Sequence, residues 1–251
     1  MQHKKIFFFI AVMASFAFSP ANLPEKTGLS PNVEMTVFTV ENTSPNLSLE
    51  EKIKSLYEEF TNYNTVMPSF IAFQNGMFGY YKLLEEGKID NKILTIVDFS
   101  LSSVEKRMWV LDMVSQKVLF NTFVAHGQGT GIEMAENFSN VQNSHKSSLG
   151  FYLTAETYIG KHGLSMRMDG LEQGFNNNAR DRYIVVHGAD YATPGFIKKA
   201  GRLGRSWGCP AVPPKLCKQI INTIKNKSCF FIYFPSKKYL QSSKYLNFEQ
   251  A

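Results

Sequence analysis

A cysteine in a glycine turn and a histidine at the end of an apolar run are the residues of this chain best suited to covalent chemistry. The cysteine is Cys209, in Ser206-Trp207-Gly208-Cys209-Pro210. The histidine is His187, at the end of Tyr183-Ile184-Val185-Val186, about twenty residues earlier. A thiol attacks as its thiolate, and a nearby imidazole can take the proton. Gly208 permits a sharp turn that can aim N–H groups at a developing oxyanion. The backbone amides of Trp207, Gly208 and Cys209 are the candidate donors. Taken singly, a cysteine is more often a small buried hydrophobe, and a histidine a satisfied structural residue. Their pairing with a glycine turn favours a nucleophile and its general base. Arg202, Arg205 and Ser206, just upstream, are candidates for holding a substrate. Loop arginines can equally be surface charges, and the serine can brace the turn instead.

Asp190, three residues beyond His187, could orient the imidazole, although a carboxylate on a turn need not face it. His126, His145 and His162 sit among small polar residues and, with His187, raise the question of zinc. No His-x-x-x-His or Glu-x-x-His spacing accompanies them, so no metal site is expected.

The run His187-Gly188-Ala189-Asp190-Tyr191, followed by Gly201-Arg202-Leu203-Gly204-Arg205-Ser206-Trp207-Gly208-Cys209-Pro210-Ala211, resembles the signature of the L,D-transpeptidase catalytic domain (YkuD-like) family. Within it, the murein L,D-transpeptidase branch is the most similar. The resemblance extends from about Lys92 to Pro235, and more weakly upstream to about Leu47. It implies a peptidoglycan stem peptide as partner and no cofactor. Cys209 would attack the carbonyl of a diaminopimelate–D-alanine bond, and His187 would take the thiol proton and return it to the leaving amine. A thioester would remain on Cys209 for an amine or water to resolve. The family also implies a backbone carbonyl as the usual orienter of the histidine. Two positions depart from the broad family: Trp207 stands where many members have a second histidine, and Ala211 where many have an arginine. Arg202 and Arg205 could supply that charge. The alternatives are an L,D-carboxypeptidase with water as acceptor, a non-catalytic cell-wall binding module, and a zinc peptidase.

The elements that must position these residues read as mainly β, a sandwich or barrel with N-terminal helices and a helix after the catalytic cysteine. Strands are expected at Ile93–Phe99, Arg107–Met113 and Val118–Ala125, the last two as a hairpin. Further strands follow at Phe151–Ala155, at Tyr183–Val186 and, closing the domain, at Cys229–Phe234. Asn46 or Ser48 can cap a first helix with a stripe of Leu47, Ile53, Leu56, Tyr57 and Phe60. Pro68–Glu86 reads as a second helix, in which Gly76 and Gly79 either weaken it or admit a close neighbour. Pro213-Pro214 can start a third, with Leu216, Ile220, Ile221 and Ile224 on its apolar face.

The 251 residues suit one domain with an appendage. Residues 1–21 read as a signal peptide, with Lys4 and Lys5 before an apolar run too short for a comfortable membrane span. Membrane contact is expected only through an uncleaved signal, and the destination is the periplasm or cell envelope. Residues 22–46 read as a linker, 47–90 as a helical extension, 91–236 as the catalytic domain and 237–251 as a loose polar tail. The net charge of +6 is scattered along the chain. With an export signal, that disfavours a nucleic-acid partner. Cys217 and Cys229 could form a disulfide in an oxidising compartment, or lie as two buried thiols.

Overall fold

The structure is a computed structural model describing residues 47–61 and 66–247, all within one unit that spans 43–251. The expected signal peptide and linker lie outside the described residues. Two helices come first, α1 (Leu49–Thr61) and α2 (Phe70–Glu85). A capping box starts α1: Ser48 Oγ accepts from Glu51 N at 3.2 Å, and Glu51 Oε2 accepts from Ser48 N at 2.8 Å. Ser69 caps α2 by accepting from Ala72 N at 3.3 Å. Among the described residues, no helix is long and apolar enough to cross a membrane.

Eight strands follow: β1 (Ile93–Asp98), β2 (Met108–Asp112), β3 (Lys117–Thr122), β4 (Gly150–Gly160), β5 (Gly163–Gly170), β6 (Val185–Gly188), β7 (Ala211–Val212) and β8 (Cys229–Tyr233). They form one sheet in the order β3-β2-β1-β8-β4-β5-β6-β7. The pairs β1–β8 and β6–β7 are parallel and the rest antiparallel. Just beyond β3, Ala125 N donates to Ala211 O at 2.8 Å, so the two edges of the sheet meet and it nearly closes into a barrel. Closure removes the unpaired edges that an open sheet would expose. The fold is mainly β, as the sequence implies.

The strands with unbroken apolar sequences lie in the middle of the sheet. Every residue of β1 and β8 is buried, because helices cover what a one-sided sheet would leave wet. Helix α2 packs on β1 and β8, and α4 (Pro214–Ile224) on β1, β5 and β6. Gly79 is the close-approach point: a Cβ there would overlap the Phe151 ring. That ring stacks on Phe231 with centroids 4.2 Å apart. The glycines of α2 therefore admit a neighbour at some cost in helix propensity.

Several expectations change. Residues 163–170 form β5, paired to β4 as a hairpin whose tip is Lys161-His162; the sequence reading places no strand there. The strand of His187 begins at Val185, because Tyr183 has φ of 56° and its side chain is exposed. The loop after it folds into a short helix, α3 (Pro194–Ala200), capped by Thr193. Strand β8, the last in the chain as expected, lies in the middle of the sheet. As far as Asn247 the tail is pinned rather than loose: α5 (Lys237–Ser242) buries Tyr239, and Tyr245 beyond it is buried too. The reason is Glu172, a buried carboxylate needing donors. It accepts from Phe151 N at 2.8 Å, from Tyr239 OH at 2.8 Å and from Ser243 Oγ. Cys217 and Cys229 are both buried free thiols.

Candidate active site

Strand register brings the two ends of the motif together. On β6, His187 pairs with Ala211 of β7, two residues beyond Cys209, and with Ser165 of β5 on its other side. Gly208 has φ of 119°, which glycine adopts freely, and a Cβ there would stand 2.7 Å from the Lys146 carbonyl. Ser206 braces the turn. Its Oγ donates to Cys209 O at 2.6 Å and accepts from Gly208 N at 3.1 Å. Ser147 Oγ donates to Gly208 O at 3.2 Å from the opposite loop.

Cys209 and His187 both line one cavity of about 590 Å³. The thiol donates to Tyr183 O at 3.5 Å, and Val185 N donates to the sulfur at 3.4 Å. No hydrogen bond joins Cys209 to His187; such catalytic bonds are often long before substrate binds. The left-handed backbone at Tyr183 is what turns its carbonyl toward the sulfur. His187 Nδ1 lies 3.0 Å from Gly188 O. A carbonyl only accepts, so Nδ1 carries the hydrogen and Nε2 of the neutral ring has a free lone pair. The group orienting His187 is thus a backbone carbonyl, and Asp190 lines a neighbouring cavity of about 510 Å³.

Burial sets the electrostatics. It pulls the His187 pKa below the ordinary histidine value, and His162 and Lys161 add to that, while the Gly188 carbonyl works against it. Burial pushes the Cys209 thiol up, opposed by the Val185 N–H and by the charges of Arg182 and Lys161. Both shifts favour the uncharged thiol and imidazole.

The remaining candidates divide. Arg205, Ser206 and Trp207 line the cavity with Cys209 and His187, and Arg205 Nη1 donates to Gly131 O at 3.1 Å. Arg202 is outside its wall, its Nη1 donating to Leu203 O at 2.7 Å. The Gly208 amide is taken by Ser206 Oγ, which leaves the Trp207 and Cys209 amides as candidate oxyanion donors. His145 reaches the cavity and stacks on Trp207 at 5.0 Å, whereas His126 is buried against Arg107. Sequence reasoning missed the hairpin tip. There His162 stacks on His187 at 4.5 Å, and Lys161 Nζ lies 5.6 Å from the Trp207 ring centre. The missed signal was the alternation of Leu164, Met166 and Met168 with Ser165, Arg167 and Asp169. Among the described residues, no group of three or more His, Cys, Asp or Glu could hold a metal ion.

Residues 65–233 match the family model described as the L,D-transpeptidase catalytic domain, and the chain belongs to that family. No curated protein sequence matches the chain. Among solved structures, an L,D-transpeptidase from Mycobacterium smegmatis is 12% identical, with 57% of this chain and 59% of that one covered and a TM-score of 0.34. An Enterococcus faecium L,D-transpeptidase mutant is 15% identical, with 58% and 50% covered and a TM-score of 0.33. An L,D-transpeptidase from Stackebrandtia nassauensis is 10% identical, with 75% and 92% covered and a TM-score of 0.35. The chain thus spans 59% of the Mycobacterium smegmatis protein's length and 50% of the Enterococcus faecium protein's.

Proposed function

We propose that the chain is an exported cysteine acyltransferase that acts on peptidoglycan stem peptides in the periplasm or cell envelope. The observation that carries this reading is the Nδ1 contact of His187 with the Gly188 carbonyl. It leaves Nε2 as an acceptor in the cavity that also holds Cys209. Nε2 takes the thiol proton as sulfur attacks the amide carbonyl between diaminopimelate and D-alanine. The oxyanion receives the Cys209 and Trp207 amides, each worth about 3 kcal/mol in a preorganised site. On collapse, His187 returns the proton to the departing D-alanine amine, and a thioester stays on Cys209. An acceptor amine then attacks and forms the cross-link. Arg205 and Ser206 border the donor, with Ser206 acting through the turn it braces. In domain terms, a signal at 1–21 and a linker at 22–46 deliver a catalytic unit that the helices of 47–90 complete.

The test is intact-mass spectrometry of the mature protein incubated with disaccharide-tetrapeptide, as wild type and as Cys209→Ala. We expect an adduct with release of D-alanine in the wild type and neither in the variant. The resolved products separate the two acceptors: cross-linked dimers mean an amine, and tripeptide means water, the carboxypeptidase outcome. A wild type without adduct or turnover would overturn the acyltransferase reading in favour of a binding module. Turnover that survives Cys209→Ala and dies with chelator would replace the thiol by a metal.

A further inference from the structure

The cavity around Cys209 is lined by three cationic side chains, Lys161, Arg182 and Arg205, and by no acidic side chain of the described residues. Arg182 differs from the other two. Its Nη1 donates to Ser139 O at 2.7 Å and Ser148 Oγ at 2.5 Å, and its Nη2 to Lys146 O at 2.6 Å and Ser144 Oγ at 3.2 Å. Every one of these acceptors is neutral. Nε is buried with no partner, and among the described residues no carboxylate pairs with the guanidinium. Arg180, two residues earlier, shows the contrast, bonding both Glu156 and Asp169 on the exposed side. Withdrawing a positive charge from water without a counter-ion is costly. The cavity holds one group that becomes an anion during the proposed reaction, the Cys209 sulfur.

The same four hydrogen bonds fix the segment 139–148, and that segment carries the catalytic turn. The Lys146 carbonyl abuts Gly208, Ser147 Oγ donates to Gly208 O, and His145 stacks on Trp207. We propose that Arg182 is a positioning residue for Cys209: it holds segment 139–148 against the Gly208 turn and supplies the fixed positive charge that favours the thiolate. This rests on the reading of Cys209 as nucleophile. In the step concerned, the S–H bond breaks, the proton goes to His187 Nε2 and the electron pair stays on sulfur. Arg182 gains and loses no proton. The other charged or titratable groups around the sulfur are Lys161 and His162 from the β4–β5 tip, Tyr158 from β4, His187 from β6, and Tyr183, Tyr191, Arg205 and His145 from the connecting segments. Lys161 sits on an exposed turn, where solvent screens it more than it screens Arg182.

The experiment alkylates Cys209 in the full chain with iodoacetate and with iodoacetamide, and reads each rate by peptide mass mapping. The sulfur attacks the reagent's methylene carbon and iodide leaves in both cases, but only iodoacetate is an anion. The iodoacetate-to-iodoacetamide ratio, normalised to a small free thiol at the same pH, reports the positive field of the folded site, so each variant is first shown to be folded by circular dichroism. Arg182→Gln is expected to lower the ratio roughly three- to tenfold, as loss of one nearby charge would. Arg182→Lys should keep it within about twofold. An unchanged ratio in Arg182→Gln, or an equal loss in both variants, would overturn the charge role. Should Arg182→Gln fail to fold, Arg182→His provides the same reading. Its ratio relative to wild type should fall as the new histidine loses its proton, and a flat relative ratio would overturn the proposal. A wild-type Cys209 inert to both reagents would overturn the nucleophile reading itself, whereas a reactive Cys209 with an unmoved ratio overturns only the role of Arg182.

Discussion

His187 is held in the tautomer a general base requires by its own neighbour's carbonyl, 3.0 Å away, rather than by a carboxylate. A carbonyl fixes the ring without adding negative charge, so nothing offsets the burial that lowers the His187 pKa except that weak dipole. The ring consequently stays unprotonated at pH values where an ordinary histidine is charged. We predict that the acid limb of Cys209 acylation lies below the ordinary histidine pKa of about 6.5. His187→Ala should slow acylation about 10²- to 10⁴-fold and remove that limb, measured as the rate of adduct formation against pH. An acid limb at or above 6.5 would mean that a carboxylate, not a carbonyl, dominates the ring's environment. Cys209 and His187 were legible as a candidate pair because their types and spacing suit that chemistry, and the fold brings both to one cavity. Arg182 and His162 were not, because an arginine in a turn cluster and a histidine in a loop gain meaning only when a hairpin folds over the site.

At the level of elements, helix α2 shows packing overruling local preference. Gly76 and Gly79 cost helix propensity, about 1 kcal/mol each relative to alanine. Gly79→Ala would recover that much but drive a methyl group into the buried Phe151 ring, which is itself stacked on Phe231. Overpacking of this kind costs about 1–3 kcal/mol, and the ring is enclosed and cannot swing away. We predict a net loss, seen as a lower urea midpoint with unchanged slope; a higher midpoint would show that the ring relocates cheaply. The sequence announced both α2 and its glycines but could not say which neighbour they admit. Strand β5 was missed for a related reason: its buried residues are Met166 and Met168 on one face and Ser165 on the other, a composition that reads as weakly apolar until β4 and β6 flank it. Helix α5 was missed because its function is to satisfy Glu172, a partner about seventy residues away in sequence. Period and propensity are local, and these two elements are justified by distant contacts.

For the molecule as a whole, the buried pair Arg107 and His126 governs part of the response to acid. Arg107 Nη2 lies 2.8 Å from His126 Nδ1, and a guanidinium can only donate. Nδ1 must therefore accept, and the ring must be neutral. Burial first, and the Arg107 charge second, push the His126 pKa down from 6.5 to about 4. Between those values the unfolded chain binds a proton that the folded one refuses, so stability is full above pH 6.5 and falls as the pH drops toward 4. A shift of that size is worth about 3 kcal/mol across the window. His126→Gln, which can still accept from Arg107, should flatten this part of the stability curve, measured by urea denaturation at a series of pH values. Asp98 and Glu172 have pKa values raised by burial and so slope the opposite way, which is why the wild-type-minus-variant difference is the quantity to read. A variant curve parallel to the wild type would mean His126 is protonated in the fold.

The near-closure of the sheet has one more consequence. The bond that joins its edges, Ala125 to Ala211, lies two residues past Cys209, and the bridge of Gly127 with Ser206 lies just before the catalytic turn. Cys209 therefore sits beside the seam where the cylinder closes. The turn that carries the sulfur is also where the cylinder is fastened, so a substitution that loosens Ser206 or Gly208 would disturb the cavity and the barrel together.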